Sequence, residues 1–227
     1  MNGWADTSGA DREALFDLEA RPRPIGFASK RAADLILAAC GIVLLSPFFI
    51  MCCVAMVCFS PGPVFFRHER VGFNGRRFKC LKFRTMAVDA QERLRLHLET
   101  DAAAAAEWAA FRKLRRDPRI TLVGALLRKS SLDELPQLFN VLAGEMSLVG
   151  PRPVTEEELY RYSDAITAYY ACRPGITGLW QVSGRSATTY RRRVALDRYY
   201  AKHWSILLDA KIMMATIPAV CRSDTTY

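Results

Sequence analysis

Between Leu35 and Phe66 the chain carries no charged residue. A bilayer core takes about 20 apolar residues as a helix, so this run either enters a membrane or forms a deeply buried core helix. Its length and flanking cations favour the membrane. Histidine is scarce: His68, His97 and His203 are the only three, and they lie far apart. That leaves no His-based zinc site and no Ser-His-Asp arrangement. No Walker loop and no Rossmann glycine pattern is present, so neither nucleotide-binding signature applies. The seven cysteines, Cys40, Cys52, Cys53, Cys58, Cys80, Cys172 and Cys221, are odd in number and lack zinc-ligand spacing. They read as reduced thiols acting as small hydrophobes in a chain facing the cytosol. There is no internal repeat, and the N-terminus lacks the organisation of a signal peptide.

What the chain does have is apolar mass and positive charge. Its 227 residues are 51% hydrophobic, with a formal net charge of +9. That composition excludes disorder as the main state. It calls for an acidic partner: nucleic acid, anionic lipid or a polyphosphate substrate. No recognised nucleic-acid motif appears, and the basic residues are tied to apolar segments.

The expected fold is α/β and membrane-associated, in four stretches. Residues 1–29 form a loosely ordered arm. Residues 30–60 form a membrane helix, 61–204 a small, mainly helical cytosolic catalytic domain with a short β-hairpin, and 205–227 an interfacial amphipathic helix and tail. Ser46-Pro47 interrupts the apolar run, and proline inside a helix removes one hydrogen bond and kinks the chain. Arg21, Arg23, Lys30 and Arg31 precede the run, and seven cations from Arg67 to Arg84 follow it. Short flanks rich in Lys and Arg prefer the cytoplasm. A re-entrant hairpin bent at Ser46 and Pro47 satisfies both flanks, with the Ser hydroxyl able to take up a freed backbone group. Strands are expected over Val64 to Val71 and Arg76 to Phe83, with helices over Val88 to Arg116, Leu135 to Leu142 and Thr155 to Ala171. Tyr199, Tyr200 and Trp204 suit a membrane-interface belt, followed by an interfacial helix.

The chemically suggestive stretch is Arg128-Lys129-Ser130-Ser131-Leu132-Asp133-Glu134-Leu135-Pro136-Gln137. Nearby cations and a helix end would keep a carboxylate ionised there. Asp133 then becomes a candidate nucleophile on phosphorus and Glu134 a candidate Mg²⁺ ligand. Helix capping is the other reading: Asp133 could be an N-cap before Pro136, or Ser131 and Glu134 a capping box. Arg152, locked between Pro151 and Pro153, reads either as a pre-aimed guanidinium or as part of a rigid turn. Arg173 and Arg185 bracket a Gly-rich loop whose backbone could approach a ligand closely, and Arg suits bidentate phosphate recognition.

Taken in order, Lys30-Arg31, Ser46-Pro47, Lys82-Phe83-Arg84-Thr85-Met86, Asp117-Pro118-Arg119, Leu127 to Gln137, Pro151-Arg152-Pro153 and the Arg173 to Arg185 loop resemble a known family. It is that of the bacterial sugar transferases, the small monotopic polyprenyl-phosphate phosphoglycosyl transferases. The tail, Thr216 to Cys221, is most like the galactosyl-phosphate transferases that initiate succinoglycan-type exopolysaccharide. The resemblance runs from about Lys30 to the end and says nothing of the arm. It implies a re-entrant membrane helix and a cytosolic catalytic domain at the inner membrane. It also implies Asp133 as nucleophile with Glu134 as its dyad partner, Mg²⁺ at the pair, and Arg128, Arg152 and Arg185 on phosphate. The implied reaction moves a sugar-1-phosphate from a UDP-sugar to undecaprenyl phosphate through a phospho-sugar on Asp133, releasing UMP. Galactose is the expected sugar and glucose the alternative. The non-enzyme alternative is a basic membrane-surface scaffold. Oligomeric state stays open, with a homodimer among the options.

Overall fold

The computed structural model describes residues 23–184 and 188–221. The chain divides into two compact parts, one built from 23–41, 68–80 and 137–219, the other from 42–67, 81–136 and 220–221. Helix α1, Phe27–Phe59, begins in the first part and ends in the second. Strands β1, Phe65–Val71, and β2, Arg77–Phe83, pair into a two-stranded sheet around a 3-10 turn at Phe73–Gly75. Asn74 takes φ +54° there, which suits the turn expected at Gly72 to Gly75.

Helix α1 starts at Phe27, ahead of the expected Lys30, because the end of the arm is tied down. Ile25 is buried and its N–H donates to Ala171 O. The rest of the arm, 1–22, lies outside the described residues. The helix runs on through Pro47. A proline at 47 cannot donate to Val43 O, and Ser46 Oγ donates to that same carbonyl at 2.8 Å. Eleven per cent of the apolar window is buried, so most of it presents side chains outward, as expected of a helix meeting lipid.

In the second part, the later half of α1 supplies the core. Cys52 and Met56 are buried with Phe83 and Leu127, and Phe49, Val64, Leu132 and Leu135 pack against them. Helices α2, Ala90–Thr100, and α3, Ala102–Phe111, replace the single helix expected over Val88 to Arg116. Asp101 causes the break: its extended backbone ends α2, and its side chain accepts from Ala104 N to cap α3. Helix α4, Leu122–Lys129, is N-capped by Thr121 and ends on Arg128 and Lys129, cations placed where the helix dipole favours them.

In the first part, helix α5, Gln137–Ala143, leads to strand β3, Ser147–Val149. Strand β3 pairs in parallel with β4, Gly175–Thr177, in the register Ser147 to Gly175 and Val149 to Thr177. The helix expected over Thr155 to Ala171 is a 3-10 segment, Glu156–Ala165, followed by α6, Ile166–Tyr170. Ser163, at φ +45°, kinks the 3-10 segment near its end. Helices α7, Leu179–Val182, α8, Tyr190–His203, and α9, Ile206–Cys221, complete the order. One face of α9 is not interfacial but packed: Ile212 is buried, and buried Asp209 pairs with Lys30 at 2.6 Å. Asp209 also accepts from Tyr200 OH and Trp204 Nε1, so Trp204 spends its polar edge inside the protein. Ile206, Leu207, Met214 and Ile217 remain exposed on α9.

Candidate active site

Asp133 and Glu134 sit in a tight 3-10 turn, Leu132–Glu134, just after α4. The turn exists because Ser131 adopts φ +57°, a left-handed conformation uncommon for a residue with a side chain. Ser131 makes no capping side-chain hydrogen bond, so the capping box expected with Glu134 is not formed. Leu132 and Leu135 pack inward on the Met56, Phe83 and Leu127 cluster. These two leucines anchor the turn and leave the acidic pair half-buried rather than in the core.

Lys82 Nζ, at the end of β2, pairs with Glu134 Oε1 at 2.5 Å. Arg128 Nε donates to Thr85 Oγ1 at 2.8 Å. Asp117 closes on Arg119 at 2.6 Å, and its carboxyl is held below the usual range: burial raises it, but the bonds from Arg119 and the charge of Arg128 outweigh that. Asp133 departs from expectation. Burial and the neighbouring Glu134 charge push its carboxyl up to about 6, against the pull of Lys82 and Arg128. Desolvation beats the cations here. The side chain still ionises near neutral pH, and a carboxylate of raised pKa is a more basic nucleophile.

Among the described residues no group of three or more His, Cys, Asp or Glu side chains gathers. Mg²⁺ does not require one, since it takes one or two carboxylates and completes its shell with water and substrate phosphates. Asp133 and Glu134 fit that pattern, and their mutual repulsion, visible in the raised Asp133 carboxyl, is what a dication would relieve.

Arg128 lies with the acidic pair in the second part of the chain, and Arg152 and Arg173 lie in the first. Arg185 lies outside the described residues. Pro151 and Pro153 are buried on either side of a half-buried Arg152. The Arg152 guanidinium stands 5.7 Å from the Trp180 ring centroid. Arg193 lies over the same ring at 5.0 Å and over Tyr190 at 4.9 Å, and Arg161 lies over Tyr190 at 4.8 Å. Three guanidiniums and two rings therefore form one cation–aromatic ladder. Arg173 Nε donates to Gly144 O at 2.8 Å, tying down the chain just beyond α5.

Two glycines of the Gly-rich loop serve close packing of the backbone. A Cβ at Gly175 or Gly178 would run into the backbone of Gly150. Those glycines allow β3, β4 and the turn after them to pack backbone to backbone. Reading the sequence assigned no role to Lys82, Thr85, Trp180 or Arg193. Lys82 meets Glu134 across 52 positions, and no local spacing announces such a pair.

The family model described as bacterial sugar transferase matches residues 25–223. The exopolysaccharide production protein ExoY of Rhizobium meliloti (strain 1021) is 52% identical over 206 residues, covering 90% of this chain and 91% of its own. The UDP-galactose-lipid carrier transferase of Erwinia amylovora is 50% identical over 198 residues, 87% of this chain and 41% of its own. The UDP-glucose:undecaprenyl-phosphate glucose-1-phosphate transferase of Caulobacter vibrioides is 40% identical over 206 residues, 87% of this chain and 72% of its own. With nearly its whole described length matched, the chain belongs to the bacterial sugar transferase family of enzymes.

Proposed function

We propose that this enzyme transfers a sugar-1-phosphate, galactose-1-phosphate foremost, from a UDP-sugar to undecaprenyl phosphate. The products are undecaprenyl-diphospho-sugar and UMP, and the step opens exopolysaccharide synthesis. The observation that carries this reading is Asp133 itself: a half-buried carboxylate of raised pKa between a Lys82-paired Glu134 and Arg128. The names of the relatives in Erwinia and Caulobacter support a sugar-phosphate transferase and leave galactose and glucose as the two sugars to compare.

An Asp133 carboxylate oxygen attacks the sugar-bearing phosphorus. The bond from that phosphorus to the bridging oxygen breaks, and UMP departs with the electron pair. A phosphate oxygen of undecaprenyl phosphate then attacks the same phosphorus and releases the Asp133 carboxylate. Two displacements through one covalent species give ping-pong kinetics. Arg128, fixed by Thr85, faces the charge on the transferred phosphoryl group, and Lys82 holds Glu134 beside it. Asp133 and Glu134 are the residues that would hold Mg²⁺, which when bound offsets the repulsion between donor phosphates and carboxylates. A bend of helix α1 at Ser46-Pro47 in the membrane would keep both flanks cytoplasmic and hold the site at the inner membrane surface.

The test is purified full-length enzyme with undecaprenyl phosphate and a panel of UDP-sugars, read by UMP release. Asp133→Asn should lower turnover at least about a thousandfold while the protein stays folded. Near-normal rates in that variant would remove Asp133 from the chemistry. Radiolabelled sugar phosphate should stay on the wild-type enzyme when the lipid acceptor is withheld.

A further inference from the structure

The second part of the chain contains an open groove of about 550 Å³ that the chemistry above does not use. It lies where α1 ends, at Phe59, Ser60 and Pro61, and continues past Val88 to Ile120, Thr121 and Leu122. Its size falls within the range of ordinary small-molecule sites, roughly 300–1,000 Å³. Three of its large apolar side chains stand in the open: Phe59 is 76% exposed, Val88 70% and Leu122 89%. Exposed apolar groups gathered around a concavity mark a site for an apolar partner.

The polar groups in the groove tell against a water-soluble nucleotide. Arg84 lines it, but this buried guanidinium is spent on four carbonyls, those of Ser60, Pro61, Pro63 and Met86. Arg93 is paired with Asp89 at 2.8 Å. Ser60 Oγ is buried without a hydrogen-bond partner, leaving one small polar position at the membrane-helix end. The groove also backs onto the candidate catalytic cluster. Thr121 lines the groove and its N–H donates to Thr85 O, while Thr85 Oγ1 accepts from Arg128 Nε.

We infer that this groove receives the isoprenoid chain of the polyprenyl phosphate acceptor, next to its phosphate. The inference rests on the reaction proposed above and names where its lipid substrate lies. An acceptor of that kind must keep its chain in apolar surroundings while its phosphate reaches Asp133. The groove offers apolar lips at the end of the membrane helix, a floor whose guanidinium is already occupied by backbone carbonyls, and an inner side, at Thr121, that backs onto the Thr85 holding Arg128. A phospholipid acyl chain shares the apolar chemistry but brings no phosphate monoester to that side.

A benzophenone-bearing isoprenyl monophosphate tests this with the full chain in detergent micelles. Photolabelling should fall on peptides containing 59–61, 88 and 120–122, and undecaprenyl phosphate should compete it away where phosphatidylglycerol does not. Labelling elsewhere, or equal competition by phosphatidylglycerol, overturns the inference. In turnover, Val88→Glu with Leu122→Glu should lower the ratio of long-chain to short-chain acceptor use at least tenfold. Phe111→Glu, an equally exposed apolar site outside the groove, should leave that ratio unchanged. An unaltered ratio in the double variant overturns the inference. The photolabel needs no turnover, so it is read independently of whether any UDP-sugar is a donor.

Discussion

Arg193 and Arg152 share one ring: their guanidiniums stand 5.0 and 5.7 Å from the centroid of Trp180. Trp180 therefore restrains the guanidinium that the proline pair leaves half-buried. Desolvated cation–π contacts contribute up to about 2 kcal/mol, and about 1.4 kcal/mol is tenfold in an equilibrium constant. We propose that Arg152 holds a donor phosphate; Trp180→Ala should then raise KM for the UDP-sugar about tenfold, and Trp180→Phe should recover most of it. Steady-state kinetics beside thermal unfolding separates this from general destabilisation. Equal KM values for all three proteins would remove the ring from donor binding.

Asp197 on α8 gives the fold a pH dependence. It is buried, accepts from Tyr162 OH at 2.8 Å and lies 4.0 Å from Arg193. Burial pushes its carboxyl up to about 7, against the opposing pull of the Tyr162 bond and Arg193. A carboxyl whose folded pKa exceeds its unfolded value favours the protonated folded state. Its stabilisation is complete below about pH 4 and is lost as pH rises through about 7. Wild type should therefore lose stability relative to Asp197→Asn between pH 4 and pH 8, by an amount on the order of a few kcal/mol. Denaturant unfolding of both proteins at several pH values checks it, and parallel curves would refute it.

Arg84 ties Ser60, Pro61 and Pro63, just beyond the membrane helix, to the end of β2. Lysine keeps the charge but cannot reach the same set of carbonyls with one ammonium. Arg84→Lys should cost about 2–4 kcal/mol, the scale of breaking a buried hydrogen-bond network. A shift of the urea midpoint at constant slope is the expected signature.

Gly124 in α4 faces the Thr85 backbone so closely that a Cβ there would run into the Thr85 carbonyl. Helix propensity alone makes alanine the better residue by about 1 kcal/mol. Steric overlap with rigid backbone reverses that sign. Gly124→Ala should destabilise by about 1–3 kcal/mol and reduce activity by displacing Thr85 from Arg128. A stabilised, fully active variant would contradict the packing.

Much of the molecule could be read without coordinates, because some signals are local. An uncharged run from Leu35 to Phe66 can only be apolar helix or core, and Pro47 must leave Val43 O without its usual donor. Ser46 sits where its hydroxyl can answer that loss. The hairpin turn at Gly72 to Gly75 follows from residues that accept positive φ. The break at Asp101 and the 3-10 geometry before Ile166 were hidden, because one capping carboxylate and one left-handed serine override a helical pattern.

At the site, the chain itself determined which groups are available: an acidic pair, Arg128 close by in sequence, and a greasy helix ahead of them. Only folding decided their state. Burial, not the neighbouring cations, sets the Asp133 carboxyl at about 6, because desolvation is a property of surroundings that no spacing encodes. Folding likewise brought Lys82 to Glu134, laid Arg152 and Arg193 on Trp180, and set Gly175 and Gly178 against the Gly150 backbone. Local residue types dictate local geometry, whereas charge strength and partnership depend on what distant segments exclude or supply.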